Sequence, residues 1–218
     1  MSDSKSNQDR FDEVFENSFN PKVLQRNLTY AGVFVLFFES FKDYIINQPL
    51  GLYCLASAYF EDGKIKFKEN DDYQKNVRSL DKKIFDASLK WFEKEGALTC
   101  DDIQIIKKIQ KRRNVMVHEL YNVLSTGILQ DDKFLISKLL EIYKKTTSWC
   151  VFNFEVDKMY DSNGEEIKQE NCYSMIIPYF QYIKDILLDE NESTFEYIKQ
   201  LKSLWQQIHK VGNNYRNK

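Results

Sequence analysis

Residues Lys107–Tyr121 read KKIQKRRNVMVHELY, and the apolar side chains in and around this stretch recur with the period of an α-helix. At about 100° per residue, six apolar residues fall within about 60° of Arg113: Ile106, Ile109, Met116, Val117, Leu120 and Leu124. Arg113 therefore lies in the middle of an apolar stripe. Because a guanidinium is permanently charged and rarely buried alone, we expect Arg113 to be paired, to lie at an interface or to face a cleft.

His118 lies about 140° from Arg113 around the same helix. The sector between them contains Gln110, Asn114 and Tyr121. These polar and aromatic residues are typical of a functional site, so this helix is the first candidate for one.

The six residues RNVMVH, from Arg113 to His118, resemble the Arg-x(4–6)-His motif of the HEPN superfamily, in which an Asn often follows the Arg, as Asn114 does here. The resemblance extends over the helical segments from about Pro21 to about Phe154. It implies an all-α, HEPN-like helical bundle that dimerises so that the motif helices of two protomers meet. It also implies a metal-independent endoribonuclease, as in toxin–antitoxin, abortive-infection and CRISPR systems, or a non-catalytic module that binds RNA or protein.

Arginine and histidine together suit metal-independent RNA cleavage. A histidine exchanges protons near neutral pH, so it can take the proton of the 2′-hydroxyl group or protonate the leaving 5′-oxygen. The arginine fork stabilises the charge of the phosphorane. One protomer has a single motif histidine, and both proton-transfer roles therefore imply a second copy, as the HEPN resemblance does. We expect a homodimer with Arg113 and His118 as catalytic residues, without a metal or another cofactor.

Two residues near the motif are expected to support it. Asn114 lies one turn before His118 and is placed to orient its ring or contact a phosphate. Tyr121 follows His118 by three residues, whereas one toxin branch of the HEPN family has a tyrosine two residues after the histidine. This difference leaves the role of Tyr121 open.

Glu39 is a third supporting candidate. It is embedded in the apolar sequence VFVLFFESFKDYI, where a carboxylate needs a partner. Arg113 is the obvious partner. The alternative is a Glu39 on a narrow exposed face, paired with Lys42 or with water.

A basic run precedes the motif histidine: Lys107, Lys108, Lys111, Arg112 and Arg113. In the functional interpretation the first four attract RNA phosphates, and in the alternative they form a solvated helix face. The formal net charge of the chain is −2, from 31 Lys and Arg against 33 Asp and Glu, so RNA binding has to come from such local patches.

Composition and termini favour a cytoplasmic protein. The four cysteines include no C-x-x-C pair, and the two histidines argue against a structural zinc site. The start of the sequence lacks the apolar core of a signal peptide. The most apolar run, Ala31–Phe38, is far shorter than the roughly 20 residues that span a bilayer. We therefore expect no membrane association.

With 3 prolines and 7 glycines and long helix-competent segments, the chain is predicted to be all-α. Residues 1–20 are predicted as a flexible N-terminal arm and 21–218 as a single HEPN-like domain, in which 155–218 is an additional C-terminal helical segment or an appendage. Asp62-Gly63, followed by alternating Ile65 and Phe67, indicates a short β-hairpin or an ordered loop.

The helix boundaries follow from caps and apolar spacing. Asn20 before Pro21 is a typical N-cap, and we expect a central, buried helix from Pro21 to about Asn47, ended by Pro49. Three further helices are predicted over about Asp72–Glu95, Cys100–Ser125 and Asp132–Phe154. Gly96 is the C-cap of the first, and Gly127 ends the second, which begins with a capping box of Thr99 and Asp102. Asp131 or Asp132 caps the third. A loop over 157–169, an apolar segment Cys172–Leu188 and an amphipathic helix Glu190–Val211 are predicted to follow.

Three interpretations result. The first is a HEPN-type endoribonuclease, a toxin or phage-defence effector with RNA as substrate and an antitoxin or regulatory protein as a further partner. The second is a non-catalytic HEPN-like module that holds RNA or protein with the same helix. The third is an unrelated all-α scaffold in which RNVMVH is a coincidence and the motif helix does not lie at a twofold interface.

Overall fold

The computed structural model describes residues 7–155, 168–169, 172 and 174–188. These residues form a mostly helical bundle with a short antiparallel hairpin, which confirms the all-α fold class and the hairpin. The helices are α1 (Asn7–Phe19), α2 (Pro21–Cys54), α3 (Asp71–Asn76), α4 (Ile84–Lys94), α5 (Cys100–His118), α6 (Leu120–Thr126), α7 (Gln130–Cys150) and α8 (Ile176–Leu188), and the strands are β1 (Ala58–Glu61) and β2 (Lys64–Phe67).

Helix α2 is the centre of the bundle, as its sequence predicts. It packs against α4, α5, α7 and α8, and its buried face includes Phe34, Phe37 and Phe41. The ring of Phe37 stacks on Phe180 of α8 at 4.3 Å between ring centroids, and Phe41 meets Tyr143 of α7 edge to face at 5.3 Å. Burying each such side chain contributes about 1.5–3 kcal/mol, so this helix organises most of the core.

The start of α2 matches its prediction, whereas its end does not. The Asn20 side chain accepts hydrogen bonds from the backbone amides of Lys22 and Val23, which confirms the N-cap. The prediction that Pro49 ends the helix is wrong, since α2 continues to Cys54. Pro49 is buried and Cys54 is fully buried. Packing of this last part of the helix outweighs the hydrogen bond that a proline removes.

The hairpin joins β1 to β2 through Asp62-Gly63. Glu61 pairs with Lys64, and the two turn residues have φ values of 52° and 75°. Two successive positive φ values are typical of the tight turn that matches the twist of the flanking strands.

The single helix predicted over Asp72–Glu95 is wrong. The chain forms α3, a 3₁₀ turn over Arg78–Leu80 and then α4. The break is at Asp81, whose extended backbone lets its carboxylate accept the Lys83 amide at 3.0 Å, an alternative to helical hydrogen bonds. The C-cap at Gly96 is confirmed, with φ of 81° and the Ala97 amide bonded to the Phe92 carbonyl at 2.9 Å.

The motif helix begins as predicted and ends earlier. The capping box is present, with the Thr99 amide 2.8 Å from Oδ2 of Asp102. The prediction of one helix to about Ser125 is wrong, because α5 ends at His118 and α6 begins at Leu120. Helix α6 turns to pack against α1, where Nδ2 of Asn17 donates to the Ser125 carbonyl at 3.2 Å. This tertiary contact makes His118 the last residue of its helix.

The flanking segments complete the bundle. Part of the arm predicted over 1–20 is helix α1, which contacts α2 and α6. Helix α7 begins slightly before the predicted start, where Oδ2 of Asp132 accepts the Leu129 amide at 3.0 Å. In α8, Pro178 lies in the first turn, where helices tolerate proline. The helix predicted over Glu190–Val211 lies outside the described residues, as does the loop over 157–169 apart from 168–169.

Candidate functional site

Arg113 of α5 forms an ion pair with Glu39 of α2. Its Nη2 atom contacts Oε1 of Glu39, and both side chains are about one-quarter to one-third exposed. The predicted pairing is therefore present. Lys42, the alternative partner, also lies 3.4 Å from the other oxygen of Glu39. Nη1 of Arg113 donates to Oδ1 of Asn114 at 3.0 Å, so the guanidinium is held between a carboxylate and an amide.

A polar stripe runs along the surface of α5. Lys107, Lys111, Asn114 and His118 fall within about 60° of one another around the helix and extend over roughly 16 Å. Lys111, Asn114 and His118 are exposed. His118 is exposed, and its ring forms no hydrogen bond or ion pair with another residue in the part of the chain that the structure describes. We call these four residues the α5 stripe.

Two of the four predicted phosphate-attracting cations are engaged in ion pairs. Arg112 binds Asp132 of α7 with two hydrogen bonds, 2.6 Å from Nε to Oδ1 and 2.8 Å from Nη2 to Oδ2, and the Asp132 side chain is only 2% exposed. Lys107 pairs with Asp86 of α4 and lies over the ring of Phe85. Arg112 is therefore placed to join α5 to α7 rather than to meet a ligand.

Sequence reasoning missed the buried Arg112–Asp132 pair. The sequence carried a signal for the orientation of Arg112 but not for its partner, because Arg112 lies within about one helical turn of Ile109 and Met116, both of which are buried. Their burial brings Arg112 towards α7. The remaining two candidates, Lys108 and Lys111, are exposed.

Tyr121 is separated from the α5 stripe by the break at Glu119. Its side chain is 78% exposed on α6 and forms no hydrogen bond with another described residue. Glu119 has a ψ of 33° at this junction. The structure therefore brings Arg113, Asn114 and Glu39 together and leaves Tyr121 apart from them.

Exposed apolar side chains surround His118. Ile106, Ile109 and Met116 of the predicted apolar stripe are buried, whereas Val117 and Leu120 are exposed. Further apolar surface lies on α1, which packs against α6, and there the exposed rings of Phe11, Phe15 and Phe19 follow one another at 6.3 Å and 4.9 Å between centroids. Contiguous apolar surface of this kind marks interaction sites.

Among the described residues, no three or more His, Cys, Asp or Glu side chains are grouped so that they could hold a metal ion. None of the described helices is both long enough and apolar enough to cross a membrane.

The chain matches no family model, and comparisons with curated proteins and with solved structures gave no match.

Proposed function

We propose that this chain is a metal-independent endoribonuclease of HEPN type, a cytoplasmic toxin or phage-defence effector that cleaves RNA as a homodimer. The observation that carries the proposal is the arrangement of the RNVMVH motif on α5: Arg113 is held by Glu39 and Asn114, and an exposed His118 without a partner among the described residues follows one turn after Asn114.

Each residue has a distinct role in this proposal. His118 of one protomer takes the 2′-hydroxyl proton of the RNA, and the partner's copy protonates the leaving 5′-oxygen. Arg113 stabilises the negative charge that develops on the phosphorane, and the ion pair with Glu39 positions its guanidinium. Asn114 orients the Arg113 guanidinium by accepting its hydrogen bond. Asn114, Lys108 and Lys111 also contact phosphate oxygens of the RNA.

Two observations support a homodimer. Arg113 and His118 project about 140° apart on α5, which suits a cleft lined by two helices better than one face of a single helix. The apolar side chains of Val117, Leu120 and Tyr121 flank His118 and are exposed. A second copy that packs α5 against α5 covers them and brings two sets of motif residues into one cleft.

Cleavage of RNA by matched variants tests this function. Purified wild-type protein is incubated with total RNA and a structured tRNA, beside Arg113→Ala, His118→Ala and Asn114→Ala, with Asn122→Ala as the control for an exposed asparagine of α6. The expected result is cleavage by the wild type and by Asn122→Ala, a loss of at least about a hundredfold for Arg113→Ala and His118→Ala, and a smaller loss for Asn114→Ala. Equal activity of the His118→Ala protein contradicts the proposal.

The alternative is a non-catalytic module that binds RNA or protein with the same helix. The observation that favours it is the Glu39–Arg113 ion pair, which partly neutralises the cation that cleavage requires. In that case the wild type cleaves no RNA, and RNA binding measured by fluorescence anisotropy survives in His118→Ala.

A further inference from the structure

A second cation-lined site lies at the start of α4. Its cavity has a volume of about 690 Å³ and is lined by Arg78, Ser79, Asp81, Lys82, Lys83 and Asp86. The cavity is formed where the 3₁₀ turn over Arg78–Leu80 leads into α4. The broken helix between residues 72 and 95, which the sequence did not predict, creates this space.

The charges that line this cavity are unbalanced. Both carboxylates already have cationic partners: Lys90 Nζ lies 2.8 Å from Asp81, and Lys107 pairs with Asp86. The hydrogen bond from Lys90 also lowers the pKa of Asp81, so this carboxylate stays ionised within its pair. The positive charges of Lys82 and Lys83 have no such partner in the described part of the chain, and Arg78 has only a long ion pair with Glu69, at 3.7 Å.

Arg78 has unused hydrogen-bond donors at this site. Its Nε and Nη1 atoms are buried and have no hydrogen-bond partner among the described residues. The nearest carboxylate is that of Glu69, 3.7 Å from Nε, which is beyond hydrogen-bonding distance. Lys82 and Lys83 are exposed, and their side chains make no contact with a described carboxylate. Because Glu69 lies beyond hydrogen-bonding distance, the charge of Arg78 is only weakly compensated by this carboxylate.

The cavity adjoins the α5 stripe through one ion pair. Asp86 lines the cavity and also pairs with Lys107, the first residue of the stripe. From Lys107 the stripe continues through Lys111 and Asn114 to His118, over roughly 16 Å. A single-stranded RNA that follows this stripe away from the motif therefore runs towards the cavity.

We propose that this cavity binds a backbone phosphate of the substrate RNA, several nucleotides away from the phosphate that is cleaved. Arg78, Lys82 and Lys83 supply the positive charge that attracts this phosphate. The inference rests on the proposed function, since it treats the ligand as RNA. It predicts that affinity depends on RNA length: a tetranucleotide fills the motif alone, and a dodecanucleotide also reaches the cavity.

Anisotropy measurements with these two oligoribonucleotides test the inference, using full-length His118→Ala protein so that the RNA is not cleaved. Adding Lys82→Gln and Lys83→Gln is expected to weaken binding of the dodecanucleotide about tenfold. The slope of the logarithm of its binding constant against the logarithm of salt concentration is expected to fall in magnitude by about 1.4, the value for two phosphate contacts on a single strand. Tetranucleotide binding is expected to stay unchanged. The matched control is Lys22→Gln with Lys94→Gln, two exposed lysines away from the cavity, which carries the same charge change and is expected to bind both RNAs normally.

The outcomes separate the two proposals. If the wild type cleaves RNA and the cavity variant binds the dodecanucleotide as tightly as the control does, the cavity inference is overturned and the proposed function stands. Equal weakening by both double variants also overturns it, since the effect is then general charge. If the wild type neither cleaves nor binds either RNA, both proposals fail. Arg78→Gln, with its melting temperature measured in parallel, provides a second variant and is expected to show the same length dependence.

Discussion

Arg112 and Arg113 are adjacent in the sequence and have different surroundings. Arg112 is bonded to the buried Asp132 of α7, whereas Arg113 is paired with Glu39 of α2, which is one-third exposed. The pairing of Glu39 was predictable, because a carboxylate inside a long apolar run requires a partner. The pairing of Arg112 depends on how α5 and α7 pack, and the spacing within one helix does not define it.

Asp132→Asn is expected to destabilise the protein by about 3 kcal/mol, at the lower end of the effect of breaking a buried ion pair, because Arg112 remains 20% exposed. Urea unfolding followed by circular dichroism measures this change. Asp131→Asn, an exposed neighbour in the same helical turn, is the control and should change stability by less than about 0.5 kcal/mol. A change of less than about 1 kcal/mol for Asp132→Asn means that the pair does not stabilise the fold.

Glu39→Gln tests whether Glu39 positions Arg113. We expect kcat for RNA cleavage to fall about tenfold with little change in KM, because a loosely held guanidinium spends less time where the phosphorane charge develops. Steady-state cleavage of a labelled oligoribonucleotide measures both constants. Asp43→Asn, an exposed carboxylate one turn later on α2, is the control. Unchanged or faster cleavage by Glu39→Gln shows that the ion pair restrains Arg113 instead of positioning it.

Among the secondary-structure elements, the best-predicted features were those set by local chemistry. The N-cap at Asn20, the C-cap at Gly96, the capping box at Thr99 and the Asp62-Gly63 turn are all present as expected. Each depends on a few neighbouring residues whose side chains bond to their own backbone or tolerate positive φ. Such features need no knowledge of the tertiary packing.

The boundaries that were predicted wrongly depend on contacts with distant elements. Helix α2 passes through Pro49 because its last part is buried, and α5 ends at His118 because α6 turns onto α1. The polar face of α5 was recognisable from its period. The cavity at α4 was not, since it exists only because the predicted helix is broken at Asp81.

Asp102 joins the cap of α5 to α7 and gives a prediction about acid stability. Burial by itself raises the pKa of this carboxyl, but hydrogen bonds from Lys145 and Thr99 outweigh it and hold the pKa below its ordinary value of 3.8. Because the folded state favours the ionised form, its contribution to stability is present above pH 3.8 and is lost as the pH falls through the lower, folded pKa.

Asp102→Asn is therefore expected to lower the free energy of unfolding by about 1 kcal/mol at pH 7, a typical loss for a helix cap. Below the folded pKa of Asp102, the difference in this free energy between the variant and the wild type is expected to be smaller. Urea unfolding at pH 7 and at about pH 2, where most carboxylates are protonated, measures the difference. Asp101→Asn, exposed in the same first turn, should differ little from the wild type at either pH. An equal loss for Asp102→Asn at both pH values contradicts the pairing with Lys145.

The proposed homodimer involves the surface of the whole molecule and depends on a second copy of the chain. The sequence pointed to it through one histidine per chain and the family resemblance, and the structure adds the exposed apolar side chains beside the motif. Among the described residues, the largest buried side chains are packed around α2, and these exposed side chains do not belong to that core. An interface with another molecule is the natural use for them.

Tyr121→Glu is expected to convert the homodimer to a monomer without unfolding it, because the side chain is 78% exposed in one chain and a charge is unfavourable in an apolar interface. Light scattering at micromolar concentration measures the mass, and circular dichroism checks the fold. Phe60→Glu is the matched control, since Phe60 is an aromatic residue of 75% exposure on the hairpin, away from the motif. A wild type that is monomeric at this concentration contradicts the proposed arrangement.

The chemical groups at the ends of the RNA products distinguish cleavage by the motif histidine from metal-dependent cleavage. Wild-type and His118→Ala protein are incubated with a defined oligoribonucleotide in excess EDTA, and the product ends are analysed by mass spectrometry. We expect a 2′,3′-cyclic phosphate on the upstream product of the wild type and no product from His118→Ala, because attack by the 2′-hydroxyl group requires the histidine base and no metal ion. Cleavage that stops in EDTA, leaves a 3′-hydroxyl group or persists in His118→Ala would contradict the account.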